Sequence, residues 1–171
     1  FLSAGVPVKT LIAKKEFINA LPSALKEGID EFEDASYEEL KHVSTLKTPH
    51  NAIALVGIPE QHMIPEELLD KLCVALDSVQ DPGNLGTIIR AAAWFGIGNI
   101  VCSKDCVDVY NSKVVQATMG AILHVNVYYA DLNAFVSLAV EKSIPVYGTL
   151  LSGKSIYSQK LGARGIILLG N

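Results

Sequence analysis

One stretch, from Leu72 to Gly96, constrains the fold more than any other part of this 171-residue chain. The apolar run Leu72–Leu76 predicts a buried strand, and Asp81-Pro82-Gly83-Asn84 is a cluster of turn-forming residues. Gly96 is a helix stop signal. Between the turn and this glycine, apolar residues recur at helical spacing: Leu85, Ile88, Ile89 and Ala92. A strand, a turn and a helix in this order predict an α/β sheet that binds ligands at the carboxyl ends of its strands.

The second half of the chain continues this alternation of short apolar segments and helical patterns. Strands are predicted at Leu72–Leu76, Asn99–Cys102, Ile122–Val127, Pro145–Thr149 and Gly165–Leu169. Helices are predicted at Leu85–Phe95, Ser112–Thr118 and Leu132–Lys142. Such alternation is typical of a parallel sheet with right-handed crossovers. The chain has no GxGxxG motif, which argues against an ordinary dinucleotide site.

The first half predicts a smaller α/β unit. Its strands are expected at Val8–Ala13, Gly28–Phe32 and Ala52–Ile58, and its helices at Glu16–Lys26 and Tyr37–Leu46. Ser36 and Glu39 have the spacing of a capping box for the second helix. The segment from Pro59 to Pro65 has two prolines and no periodicity. The sequence therefore predicts a first domain over 1–58, a linker over 59–69 and a second domain over 70–171.

Composition restricts the environment of the protein. Charged residues make up 19% of the chain and hydrophobic residues 50%, so an ordered core is expected. No apolar run approaches the roughly 20 residues of a membrane span. The three cysteines lack further ligands at zinc spacing, so we expect no metal site and a reducing, cytoplasmic compartment. The net charge of −4 argues mildly against a general nucleic-acid binder.

Arg90 is a charged residue within the predicted helix, and its position there requires an explanation. A helical wheel places it off the apolar face, on one stripe with Gly86 and Trp94. Its side chain should lean toward the amino-terminal turn, where Asn84 lies. Either Arg90 is a solvated surface arginine, or its guanidinium is a fixed donor for a phosphate or another anion.

These segments together resemble one known family. The stretch from Asp81 to Gly96 is similar to the first motif of the SpoU/TrmH RNA ribose 2′-O-methyltransferases, with the spacing from Asn84 to Arg90 preserved. Ser112 through Ala121 and Ile166 through Asn171 resemble later segments of the same family, in the same order. The resemblance implies a SPOUT-type parallel sheet with a trefoil knot, S-adenosylmethionine as cofactor, RNA as substrate and a homodimer. It also implies that the first domain binds the RNA substrate.

The resemblance also implies roles for individual residues. Asn84 and Arg90 would be catalytic, with Arg90 holding an RNA phosphate, because arginine does not readily release a proton to act as a base. The general base is left open. Lys113 would contact RNA, although a solvated helix lysine is an equally good interpretation. The cofactor wall would be formed by Thr149, Leu150, Leu169, Gly170 and Asn171, although Gly170 could also be a plain turn glycine.

The resemblance stops before the family's motifs are complete. The residues expected after Asn171, and the segment that closes the knot, do not follow, so a fragment that is truncated at both ends and inactive alone is expected. Ribosomal RNA is preferred over transfer RNA as the substrate because of the additional first domain. The alternatives are a non-catalytic RNA-binding protein of the same fold and an unrelated α/β nucleotide-binding enzyme.

Overall fold

The computed structural model describes residues 2–44, 46, 48–60, 62–159 and 161–170. The chain divides into two compact units, Phe1–Glu60 and Gln61–Asn171. In the described part of the chain, no helix is both long and apolar enough to cross a membrane.

The first unit is built on a three-stranded sheet. Its strands are β1 (Val8–Ala13), β2 (Ile29–Asp34) and β3 (Ala52–Val56), and its helices are α1 (Lys15–Ala20), α2 (Ser23–Lys26) and α3 (Tyr37–Val43). Strand β1 lies in the centre, parallel to β2 and antiparallel to β3. The predicted capping box is present, because Ser36 and Glu39 exchange side-chain and backbone hydrogen bonds at the start of α3.

The second unit contains a five-stranded parallel sheet in the order β6-β5-β4-β8-β7. Its strands are β4 (Leu72–Asp77), β5 (Asn99–Cys102), β6 (Asn126–Tyr129), β7 (Val146–Gly148) and β8 (Gly165–Gly170). Its helices are α4 (Pro65–Leu69), α5 (Pro82–Trp94), α6 (Ser112–Thr118) and α7 (Leu132–Glu141). Strand β4 therefore occupies the middle of the sheet, and β8 lies beside it although β5, β6 and β7 come between them in the chain.

The central strand is buried on both faces, which explains why its sequence is a continuous apolar run. Val74 and Leu76 face a cluster that includes Leu85 and Ile89 of α5. Cys73 and Ala75 face the opposite cluster, which contains residues of α4 and α7. The helices thus cover both faces of the sheet and leave its strand ends for the connecting loops.

Most predicted elements differ from the observed ones by one to three residues at one end or both, and three predicted segments differ in kind. The helix predicted over Glu16–Lys26 is two helices, because Pro22 cannot continue α1. The strand predicted at Ile122–Val127 is wrong, since 121–123 is a short 3-10 helix and β6 begins only at Asn126. The segment predicted as a linker over 59–69 includes α4, in which Leu68 and Leu69 are buried in the core of the second unit.

Candidate functional site

The helix that carries Asn84 and Arg90 begins earlier than the sequence predicted. Asp81 is its N-cap, and the Oδ1 atom of Asp81 accepts a hydrogen bond of 2.7 Å from the backbone amide of Asn84. Pro82 occupies the first helical turn, where the absence of an amide hydrogen costs nothing. The predicted turn is therefore the first turn of α5, and Asn84 projects from the beginning of a helix, just beyond the carboxyl end of β4.

Arg90 lies six residues beyond Asn84, about 9 Å further along the helix axis. Its side chain is exposed, as the wheel predicted. The single ion pair found among the described residues joins Lys41 to Glu38 in the first unit, so no described carboxylate neutralises Arg90. An exposed guanidinium that is not held by a carboxylate keeps its donor fork available for an external anion.

The stripe of α5 that carries Arg90 is covered at one end and open at the other. Gly86 is buried, and a Cβ atom at this position would lie 2.9 Å from the backbone carbonyl carbon of Ala117 in α6. Helices α5 and α6 therefore touch at a point where only glycine fits. Trp94, at the other end of the stripe, is 84% exposed.

The loop between β4 and α5 is held by the loop that follows β5. Ser78 has a left-handed backbone, with φ of 55°, which costs a non-glycine residue about 1 kcal/mol or more. Its amide donates a hydrogen bond of 2.9 Å to the Oγ atom of Ser103. The amide of Val79 donates to the Sγ atom of Cys106 at 3.3 Å, and the backbone amide of Val107 donates to the carbonyl of Val79 at 3.0 Å.

Tyr129, at the end of β6, fixes this second loop in turn. Its hydroxyl donates a 2.6 Å hydrogen bond to the carbonyl of Val107 and accepts one of 2.7 Å from the amide of Val109. Burial raises the pKa of the Tyr129 hydroxyl, with a smaller contribution from Cys102. Tyr129 therefore keeps its proton at neutral pH and can serve as donor and acceptor together.

The sequence prediction did not find Ser103, Cys106 or Tyr129. One signal was present: Ser103 immediately follows the predicted strand Asn99–Cys102, at the edge where ligand sites gather in parallel sheets. The other two residues could not be connected to the site, because their contacts depend on which loops lie side by side.

The residues predicted to bind a cofactor lie at the carboxyl ends of β7 and β8. The amide of Thr149 donates a 3.0 Å hydrogen bond to the carbonyl of Leu168, and Leu150 is exposed. Leu169 is half-buried and pairs in register with Leu76 of β4. Gly170 pairs with Asp77, and a Cβ atom at Gly170 would meet nothing within 4 Å. Asn171 lies outside the described residues.

Lys113 is exposed near the start of α6. Its backbone amide donates a 3.0 Å hydrogen bond to the Oδ1 atom of Asn111, the N-cap of this helix. The strand order places β4, β8 and β7 side by side, so their carboxyl ends lie together, whereas α5 and α6 pack against each other. Within the described ranges there is no group of three or more histidine, cysteine or acidic residues that could hold a metal ion.

Most of this chain is similar in sequence to known proteins. The model of the SpoU rRNA Methylase family matches residues 71–171. The 23S rRNA (guanosine(2553)-2′-O)-methyltransferase RlmP of Bacillus subtilis is 30% identical over 157 residues, which is 92% of this chain and 60% of that protein. Human mitochondrial rRNA methyltransferase 3 is 33% identical over 132 residues, which is 70% of this chain and 30% of that protein. This chain therefore spans less than two thirds of either relative.

Solved structures show the same architecture. A protein from Porphyromonas gingivalis assigned to the TrmH family of RNA methyltransferases superimposes with a TM-score of 0.82 at 31% identity, covering 96% of this chain and 65% of that one. An AdoMet-bound rRNA methyltransferase from Sinorhizobium meliloti gives a TM-score of 0.77 at 23% identity, covering 98% of this chain and 64% of that one. The latter similarity supports the fold alone.

Proposed function

Because this chain belongs to the SpoU rRNA methylase family, we propose that the full-length protein transfers a methyl group from S-adenosylmethionine to a ribose 2′-hydroxyl of RNA. The observation that carries the proposal is the geometry of α5. Asn84 projects from a capped first helical turn, and Arg90 is exposed on the same helix without a described carboxylate partner. The names of the relatives favour ribosomal RNA as the substrate over transfer RNA.

Methyl transfer to a hydroxyl requires a nucleophile that is fixed in line with the methyl group. In this proposal, Arg90 binds the phosphate next to the target ribose through two parallel N–H···O contacts. Its positive charge also stabilises the oxyanion that develops as the hydroxyl loses its proton. Asn84 orients the ribose from the first turn of α5. Arginine remains protonated throughout, so the general base is a different group.

The cofactor half of the proposed site is formed by Thr149, Leu150, Leu169, Gly170 and Asn171. The described members fit an adenosine group, because Leu150 offers an exposed apolar side chain and the backbone beside Gly170 is open to close approach. S-adenosylmethionine, when bound, supplies the methyl group on its sulfonium. The chain's own residues hold and orient it against the carboxyl ends of β7 and β8.

The first unit is proposed to bind RNA through Lys14 and Tyr37 rather than along β2. The segment Ile29–Asp34 carries four exposed carboxylates, which repel phosphate: Asp30, Glu31, Glu33 and Asp34. Lys14 follows β1 beside the carboxyl end of β2, and its Nζ atom lies 5.1 Å from the ring centre of Tyr37, so the pair combines a cation with an aromatic ring. Lys113 is the corresponding proposed RNA contact in the second unit.

A homodimer formed through the end of α5 is also proposed. Trp94 and Phe95 are adjacent aromatic residues that are 84% and 77% exposed. Exposed aromatic pairs are typical of protein interfaces. Cytoplasmic localisation is part of the same proposal, since the three cysteines are free thiols.

The test is to incubate the full-length protein with tritiated S-adenosylmethionine and total RNA from a strain that lacks the gene. Label should enter RNA with the parent protein, and the rate of incorporation should be at least about 100-fold lower with an Arg90→Ala variant. Arg164→Ala is the matched control, because Arg164 is exposed just before the amino end of β8, whereas the proposed site lies at the carboxyl ends of these parallel strands. Absence of label with a folded, cofactor-binding parent would contradict methyl transfer and favour a non-catalytic RNA-binding protein.

A further inference from the structure

We propose that Ser103 and Cys106 are positioning residues that set the location of the helix carrying Asn84 and Arg90, an inference that rests on the proposed function. Neither residue is placed to touch substrate in this proposal. They act through the backbone of the loop between β4 and α5, which is Ser78–Asp81. The segment Ser103–Val107, which follows β5, is called the anchor loop below.

The Ser78–Asp81 loop needs external support because its conformation is unfavourable by itself. Ser78 has positive φ although its side chain favours negative values. The side chain of Ser78 donates only to the neighbouring Asp77, at 3.2 Å, and this local contact does not fix the loop against the sheet. The loop leads directly into the N-cap Asp81, so any shift of its backbone is transmitted to the first turn of α5.

The anchor loop supplies this support with side chains that match the backbone groups opposite them. Ser103 and Cys106 are both 8% exposed, and their Oγ and Sγ atoms lie 3.6 Å apart. Each accepts a hydrogen bond from one of two consecutive amides, those of Ser78 and Val79. The thiol of Cys106 also donates to the carbonyl of Leu76 at 3.4 Å, so its single hydrogen and its lone pairs are used together.

The contacts continue away from the site and make the anchor loop rigid. The amide of Ser103 donates to the carbonyl of Leu76 at 2.8 Å, and the amide of Cys106 donates to the carbonyl of Ser103 at 3.1 Å. At the far end of the loop, the hydroxyl of Tyr129 donates a hydrogen bond to the carbonyl of Val107. Rigid support of this kind preserves a reactive geometry, since a displacement of about 1 Å can reduce a rate by about 100-fold.

The chemistry of the pair predicts which substitutions matter. Cys106→Ala leaves the amide of Val79 without its side-chain acceptor in a half-buried position. Cys106→Ser keeps both a donor and an acceptor in a similar volume. Cys73→Ala is the matched control, because Cys73 is a fully buried free thiol of β4 that faces the opposite side of the sheet.

The experiment measures methyl transfer by full-length parent, Cys106→Ala, Cys106→Ser, Ser103→Ala and Cys73→Ala proteins, with tritiated S-adenosylmethionine and total RNA lacking the modification. Cys106→Ala and Ser103→Ala should lower kcat by about 10- to 100-fold, while the KM for S-adenosylmethionine stays within about 2-fold. Cys106→Ser should restore most of the rate, and Cys73→Ala should retain it. An equal loss of rate in the Cys73 and Cys106 alanine variants, or no loss in either anchor-loop variant, would overturn the proposal.

A second readout separates this proposal from the proposed function. Amide hydrogen exchange over residues 77–84 should become at least about 10-fold faster in Cys106→Ala and Ser103→Ala, and remain unchanged in Cys73→Ala. This measurement does not depend on activity. If the parent transfers no label but exchange changes as expected, the proposed function fails and the anchoring role stands. If exchange over residues 77–84 is the same in all variants, the anchoring role fails whatever the activity.

Discussion

Two connections of the second unit are built in opposite ways. The β4–α5 connection is short, and a neighbouring loop binds its backbone amides through Ser103 and Cys106. The β7–β8 connection, residues 149–164, is long and exposed: each residue from Leu150 to Gln159 is exposed, and the described hydrogen bonds of this segment stay within the connection. Thr149 and Gly162, near its two ends, are bound to Leu168 and Tyr147. The proposed RNA-positioning half of the site is therefore held by a neighbouring loop, whereas Leu150 of the proposed cofactor half lies in a segment that no described hydrogen bond joins to the rest of the chain.

The difference indicates where sequence changes should be costly. Substitutions beneath the β4–α5 connection disturb packed or hydrogen-bonded groups, whereas substitutions in the β7–β8 connection alter side chains that have few described contacts. Four measurements of stability, in order of decreasing expected effect, test this contrast.

The largest effect is expected from Gly86→Ala. The added Cβ atom would meet the backbone of Ala117, which cannot rotate away as a side chain could. Overpacking of this kind should lower the free energy of unfolding by about 3 kcal/mol, as measured by urea denaturation. Gly98→Ala is the control, since a Cβ there has nothing within 4 Å. Equal stability of the two variants would show that α5 and α6 are not locked together.

A rise in pH should lower the free energy of unfolding through the buried thiols of β4 and β5, the strands beside the β4–α5 connection. Burial raises the pKa of the Cys73 thiol to about 11 and also raises that of Cys102. Because these folded-state pKa values lie above those of the unfolded chain, the stabilisation is complete below about pH 8.5 and is lost as the pH rises further.

Between pH 8 and pH 10 the Cys73 thiol alone should lower the free energy of unfolding by about 2 kcal/mol. Urea denaturation of the parent and of Cys73→Ala at both pH values gives the comparison. The variant should lose a smaller amount of stability over this range than the parent. An identical pH dependence in the two proteins would refute the contribution of Cys73.

Asp81→Ala should cost about 1 kcal/mol, because it removes the N-cap acceptor of α5. Asp131→Ala is the matched variant, since the Oδ1 atom of Asp131 caps α7 by accepting from the amide of Ala134 at 3.2 Å. Thermal unfolding should show similar losses for both. Only Asp81→Ala should also reduce methyl transfer, because α7 carries none of the proposed site residues.

The smallest effect is expected from Leu151→Ser. Leu151 is fully exposed in the β7–β8 connection, so its replacement should change the free energy of unfolding by less than about 0.5 kcal/mol. Urea denaturation of the parent and of Leu151→Ser measures this difference. A larger loss would mean that the β7–β8 connection is as well supported as the β4–α5 connection, and the contrast would be lost.

Local pattern was sufficient where a residue's role depends on its neighbours in the chain. The bounds of β1, β5 and α6 are those predicted, because each is a short apolar or helical pattern with clear stop signals. The prediction failed at β6, because Ile122 and Val125 are β-branched residues that pack into the core from outside the strand. Apolar character marked their burial correctly but not their backbone conformation.

The candidate site was predictable only in part for the same reason. Asn84 and Arg90 share one helix, so a wheel could relate them to each other. The contacts of Cys106 reach residues 27 and 30 positions earlier in the chain, and those of Tyr129 reach 20 and 22 positions earlier. Such pairings depend on sheet order, which periodicity does not encode.

The position of β8 in the sheet has a consequence for synthesis on the ribosome. Strand β4 pairs with β5 on one side and with β8 on the other, and Leu72 and Gly165 are 93 positions apart in the chain. One edge of β4 therefore has no strand beside it until residues 165–170 have been translated. Non-local pairing of this kind slows folding and exposes an apolar edge to other nascent chains. Strand β8 fills the middle of the sheet only after β5, β6 and β7 have emerged, and only then can β7 join the sheet through β8.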